Sequence, residues 1–176
     1  MFYLRNDMKI SLIAFSMFLS FGALAAENSF FKGYTKGCDH TVEYGKFQQD
    51  LCKFVTKKDG SQSCQAGKVT LPAGINGNLA KVKNNGDHTL FEVTLNPPVT
   101  FAGNTIVAIE QWSGHGNGIW GTDLVTTAKD VNEAKNNVKT SGVVLKKQKS
   151  EVLGSVGAEV VKGTDKKIRI MCDTSN

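Results

Sequence analysis

Four cysteines, Cys38, Cys52, Cys64 and Cys172, place the tightest constraint on this 176-residue chain. The set is even and no spacing is C-x-x-C, so neither a redox pair nor a zinc knuckle is suggested. In an oxidising compartment four such thiols most simply close two disulfides, and three pairings are open. The reading favoured here is Cys52–Cys64, which closes a short loop, with Cys38–Cys172, which ties the two ends of the domain together. On the chain-entropy model the short bridge is worth about 3 kcal/mol and the long one somewhat more.

The N-terminal segment speaks to the compartment. Arg5 and Lys9 precede an apolar run from Ile10 to Leu24, and Ala23-Leu24-Ala25 offers the small side chains that a signal peptidase needs. This is the three-part layout of a secretory signal peptide. Asp7 is out of place in a basic region, and Met8-Lys9 would make a cleaner start, so Met8 is read as the initiator and Ala25 as the last residue before cleavage. Residues 1–25 are then a signal peptide and 26–176 a single exported domain, periplasmic or secreted. The competing reading is an uncleaved anchor, but the run falls short of the ~20 residues that span a bilayer. The segment resembles those of Gram-negative exported proteins, and the chain has no N-x-S/T sequon.

About 150 residues remain after cleavage, which suits one domain. With 40% hydrophobic residues, 18 glycines and 3 prolines the chain is neither disordered nor collagen-like. Net charge is +5, yet Arg5 and Arg169 are the only arginines. Bidentate phosphate recognition favours the planar guanidinium fork, so nucleic acid is not an expected partner. The mild basicity fits solubility, or an anionic envelope surface.

Patterning predicts an α+β, mostly β fold: an antiparallel sheet with one or two short helices packed on it, stapled by disulfides. An all-β sandwich is the alternative. Residues 26–37 read as an irregular entry with an exposed Phe30-Phe31 pair. Phe47, Leu51, Phe54 and Val55 recur at helical spacing and predict a helix over 43–54, although Cys52 to Thr56 would also serve as a strand. Lys68 to Leu71 reads as a strand. Leu79–Lys83 and Thr89–Leu95 flank Asn84-Asn85-Gly86-Asp87, a strong hairpin signal, and Asn96-Pro97-Pro98 is expected to end the second strand. Thr105 to Ile109 reads as central. Thr127 and Asp130 open a helix over 128–140, stopped by Gly142 and followed by a strand at Val143-Val144-Leu145. A last hairpin joins Ala158–Lys162 to Lys166–Cys172.

The stretch Gln111 to Gly121 holds both tryptophans, His115 and four glycines. It suggests a binding loop on a rigid strand end, with Trp112, His115, Asn117 and Trp120 as ligand contacts. The competing reading is a hairpin whose tryptophans pack into the core. The leading functional expectation is an exported non-enzymatic domain that recognises a protein or glycan of the cell envelope or exterior, as an inhibitor or adhesion module. A second is a small secreted hydrolase using His115 with Ser113, Asp123 or Glu110. A third is an accessory subunit of an envelope assembly, docking through Phe30-Phe31. The separations of His40, His88 and His115 match no metal-site pattern, and no cofactor or catalytic set is read. Glu110 interrupts a hydrophobic strand and, if buried, would titrate high.

Overall fold

The computed structural model describes residues 29–115, 120–150 and 154–173. The signal segment and Asn117 lie outside the described residues. The chain opens with a 3-10 helix at Ser29–Thr35 and continues through α1 (Val42–Leu51), β1 (Cys52–Thr56) and β2 (Gln62–Ala66). It then runs through β3 (Gly77–Asn84), β4 (His88–Phe101), β5 (Asn104–Gly114), β6 (Trp120–Thr126) and α2 (Val131–Ser141). β7 (Lys147–Ser150), β8 (Gly154–Lys162) and β9 (Ile168–Asp173) complete it. β1 and β2 form a separate hairpin; the other strands form one seven-stranded sheet in the order β3-β4-β5-β6-β9-β8-β7, with every pair antiparallel. The mostly β, disulfide-stapled class expected from patterning is the one observed.

Alternation along the strands divides the main sheet into two chemically different faces. Val93, Ile109, Leu124, Ile170 and Val160 occupy matching register positions and, with Phe91 on the same face of β4, join one core cluster. The 3-10 helix, α1 and α2 put their buried side chains into that same cluster, among them Phe30, Phe31, Tyr44, Phe47 and Ala134. Aromatic pairs lock the layer, with Phe31 and Phe101 ring centroids 5.5 Å apart and Phe30 and Tyr44 4.7 Å apart. The Tyr34 and Tyr44 hydroxyls both meet Thr122 Oγ1 on β6. Burial raises both phenols, Tyr44 to about 12, so both stay protonated and donate or accept as neutral groups.

Several local expectations are corrected. Phe30 and Phe31 are 0% exposed, since the 3-10 helix folds them under the sheet, and the docking role drawn for them loses its exposed surface. α1 ends at Leu51: the helical spacing holds through Phe47 and Leu51, and Cys52 to Thr56 then pair with β2 as a strand. Residues 68–71 and 143–145 are not strands, although Val69, Leu71, Val143 and Leu145 still pack against the core. Asn96-Pro97-Pro98 does not end β4; the register shifts between Thr94 and Val99 and the strand resumes to Phe101. α2 is capped by Asp130, whose side chain accepts from Glu133 N, rather than by Thr127. Gly142 closes it at φ 74°, a conformation that favours glycine.

The bridges are Cys38–Cys172 and Cys52–Cys64. The first fastens the segment between the 3-10 helix and α1 to β9; the second staples β1 to β2. Among the described residues no helix is long and apolar enough to cross a membrane.

Candidate functional site

The opposite face of the sheet carries a different chemistry. Glu92, Glu110 and Asp123 stand at directly opposed positions on β4, β5 and β6. Three acids side by side repel one another, and an uncompensated row would be destabilising. Arg169 on β9 resolves the conflict. Its Nε donates to Glu110 Oε2 at 2.7 Å and its Nη2 to Glu110 Oε1 at 3.0 Å, the two-pronged geometry available only to a guanidinium. The same Nε lies 3.5 Å from Asp123 Oδ2, and Nη1 reaches Asp165 Oδ1 at 2.7 Å. Lys167 Nζ sits 3.1 Å from Glu92 Oε2 and 3.7 Å from Glu110 Oε1.

The network is largely removed from water: Glu110, Asp123 and Arg169 are 3%, 1% and 8% exposed. Arg169's hydrogen bonds hold the Asp165 carboxyl well below the ordinary range, and the bonds to Asp165 first and Glu110 next hold the guanidinium charged. Gly163 leaves room for this arrangement, because a Cβ there would meet Arg169 Nη1 and Asp165 Oδ1 and push one of them aside.

Beside the network lies an open cleft of about 510 Å³. Leu90, Trp112, Met171 and Val161 give it apolar surface; Glu110, Asp165 and Arg169 give it fixed charges; Lys81, Lys83 and Lys162 stand on its walls. Trp112 pairs with Leu90 and Gly121 in the sheet and is partly buried. The His88 ring lies 6.2 Å from the Trp112 ring at 30° and is itself fixed, with Nδ1 2.6 Å from Asp87 Oδ1 and Nε2 2.8 Å from Asn85 Nδ2. The Asn85 amide donates to Nε2, so Nδ1 carries the proton towards Asp87.

No family model, curated protein or solved structure matches this chain.

Of the four residues expected to contact ligand, the three that are described do not form one site. Trp112 faces the cleft. Ser113, one residue on, pairs with Trp120, which places Trp120 on the core side of the sheet. There its ring lies 5.6 Å from Phe54 and lines a separate cavity of about 360 Å³ with Gln48, Gln49 and Cys52. His115 is tied to the β3–β4 turn: Nδ1 lies 2.9 Å from Gly86 O and Nε2 2.8 Å from Thr89 Oγ1. A carbonyl only accepts, so Nδ1 is the protonated nitrogen, and both ring nitrogens already serve the fold. Ser113 Oγ is buried on the core side without a hydrogen-bond partner among the described residues, whereas Glu110 and Asp123 are on the other face. The structure thus does not assemble His115, Ser113 and an acid into a nucleophilic group.

Among the described residues no three His, Cys, Asp or Glu converge as metal ligands; His40 is stacked on Tyr44, away from His88 and His115. Sequence reasoning missed Arg169, Lys167, Asp165 and the lysine walls. The available signal was the isolation of Arg169 as the only arginine beyond the signal segment, on the same alternating strand as Ile168 and Ile170.

Proposed function

We propose that this chain is an exported, non-enzymatic binding domain that takes a glycan into the Trp112 cleft on the open face of its main sheet. The observation that carries this reading is the Trp112 indole, held beside His88 on a rigid strand and flanked by the fixed charges of Glu110, Arg169 and Asp165. A flat apolar ring next to preorganised polar groups suits a sugar, whose C–H face stacks while its hydroxyls find partners. Export to a bacterial periplasm or exterior is supported by the N-terminal sequence layout and by two disulfides, which persist in oxidising compartments.

The test is a binding screen against immobilised envelope and extracellular saccharides, with Trp112→Ala and Trp120→Ala in parallel. Trp112→Ala is expected to weaken binding by about tenfold or more, a typical loss for one stacking aromatic, while Trp120→Ala leaves it intact. Undiminished binding by Trp112→Ala overturns the reading.

A protein partner is the second reading, and it has an observation of its own. Phe54 is 48% exposed, lies against Trp120 and lines the smaller cavity, an apolar patch on the other face. Loss of binding in Trp120→Ala alone would favour it.

A further inference from the structure

We propose, building on the glycan reading above, that the ligand of the Trp112 cleft is an acidic saccharide, its anionic groups met by Lys81 and Lys83 on the β3 wall, with Lys162 at the rim, while a ring packs on Trp112.

Among the described residues two carboxylates line the cleft, Glu110 and Asp165, and two more, Glu92 and Asp123, stand beside Glu110 on the same sheet face. Each is engaged by a cation of the protein itself, Glu92 by Lys167 and the other three by Arg169. Glu110 and Asp123 are also nearly closed to solvent, with side chains 4% and 2% exposed. Glu110 and Asp123 are therefore spent inside the sheet face; Asp165 is 45% exposed, but its carboxylate is already held by the Arg169 guanidinium. Against them stand five cations: Arg169 and Lys167 in the network, and Lys81, Lys83 and Lys162 lining the cleft. The last three have no carboxylate partner among the described residues, and all three are exposed. The charge open to a visitor is thus positive.

Their placement is imposed by the fold. Lys81 and Lys83 are two residues apart on β3 and so project to the same side, next to Glu92 and Leu90 in the register. Lys162 is the last residue of β8; its pairing with Ile168 sets it on the core-side alternation, so it lines the cleft only at the rim, where the closing hairpin turns. The apolar surface of Leu90, Trp112, Met171 and Val161 lies between them. A ligand that fits has a flat, C–H-bearing ring for the indole and acid groups turned towards β3, which describes a uronic-acid or sulfated oligosaccharide. The scarcity of arginine, whose fork suits phosphate, separates this surface from a nucleic-acid groove.

The experiment is calorimetric titration of the purified mature protein, disulfides intact, with uronate tetrasaccharides from pectin and alginate, with sulfated tetrasaccharides, and with the neutral carboxyl-reduced or desulfated counterpart of each. The expected result is that at least one acidic oligosaccharide binds, that its neutral counterpart binds about tenfold or more weakly, and that affinity falls as salt is raised to where screening reaches ~3 Å. The triple substitution Lys81→Gln, Lys83→Gln, Lys162→Gln, checked by circular dichroism for retained fold, removes the discrimination between the acidic and neutral forms. Uronate and sulfate arms identify which acid the site takes. Equal affinity for acidic and neutral forms, or an unaffected triple variant, overturns the acidic-ligand proposal while leaving a glycan site at Trp112 standing. Binding by no oligosaccharide at all overturns both.

Discussion

Arg169 is the residue on which the open face depends. Removing one partner of a buried ion pair leaves an uncompensated charge, which costs about 3–5 kcal/mol. Arg169→Met keeps most of the side-chain volume and is expected to lose that much stability in urea unfolding, with part recovered when Glu110→Gln is added. A loss below about 1 kcal/mol would show that the network is solvated. His40 supplies a second test. Burial between Tyr34 and Tyr44 holds its imidazole down at about 4, from an ordinary 6.5, despite the opposing pull of Asp39. The contribution is fully present above pH 6.5, where both states are neutral. Between 6.5 and 4 the unfolded chain takes a proton that the folded chain refuses, so stability falls with pH, by about 3 kcal/mol in all. His40→Phe retains the stacking and is expected to flatten the stability profile across that window; an unchanged slope contradicts the assignment. Glu110 stood out in the sequence as an acid within an apolar strand. Its partner did not, because the pairing of residue 110 with 169 is made by sheet topology and has no local signature.

At the scale of elements, short-range chemistry was readable and strand limits were not. The Asn-Asn-Gly-Asp turn gives the β3–β4 hairpin, and alternation along β4 assigns Phe91, Val93 and Leu95 to the core. Helix α2 was placed correctly, but its start was displaced by three residues. Thr127 and Asp130 both suit an N-cap, and the choice falls to Asp130 because Glu133 can then accept from Lys129 N. Asp130→Ala is accordingly expected to cost about 1 kcal/mol, and Thr127→Ala much less, by thermal or chemical unfolding. The reverse order would restore the earlier start. Val69, Leu71, Val143 and Leu145 misled because an apolar residue buried from a loop looks in sequence like one buried from a strand. β4 passed through Asn96-Pro97-Pro98 because the register there shifts and frees the prolines from the ladder.

For the whole molecule, the decisive fact is that one sheet serves two purposes. Its core side receives three helices and the β1–β2 hairpin, and the Cys38–Cys172 bridge, 134 residues apart in sequence, binds the N-terminal layer to β9. Its other side holds the charge network and the Trp112 cleft. A stretch that reads in sequence as one loop with two tryptophans is divided by the pleat, because residues 113 and 120 are paired and 112 is not on their side. The candidate site was therefore only half visible: Trp112 was named, while its surroundings come from β3, β4, β8 and β9. The division also provides an internal control. The most direct test of the account is to follow the two indole N–H resonances in a proton–nitrogen correlation spectrum during titration with an acidic tetrasaccharide that binds. The account predicts that the Trp112 signal moves in proportion to occupancy while the Trp120 signal stays in place; movement of Trp120 alone, or of neither, would contradict it.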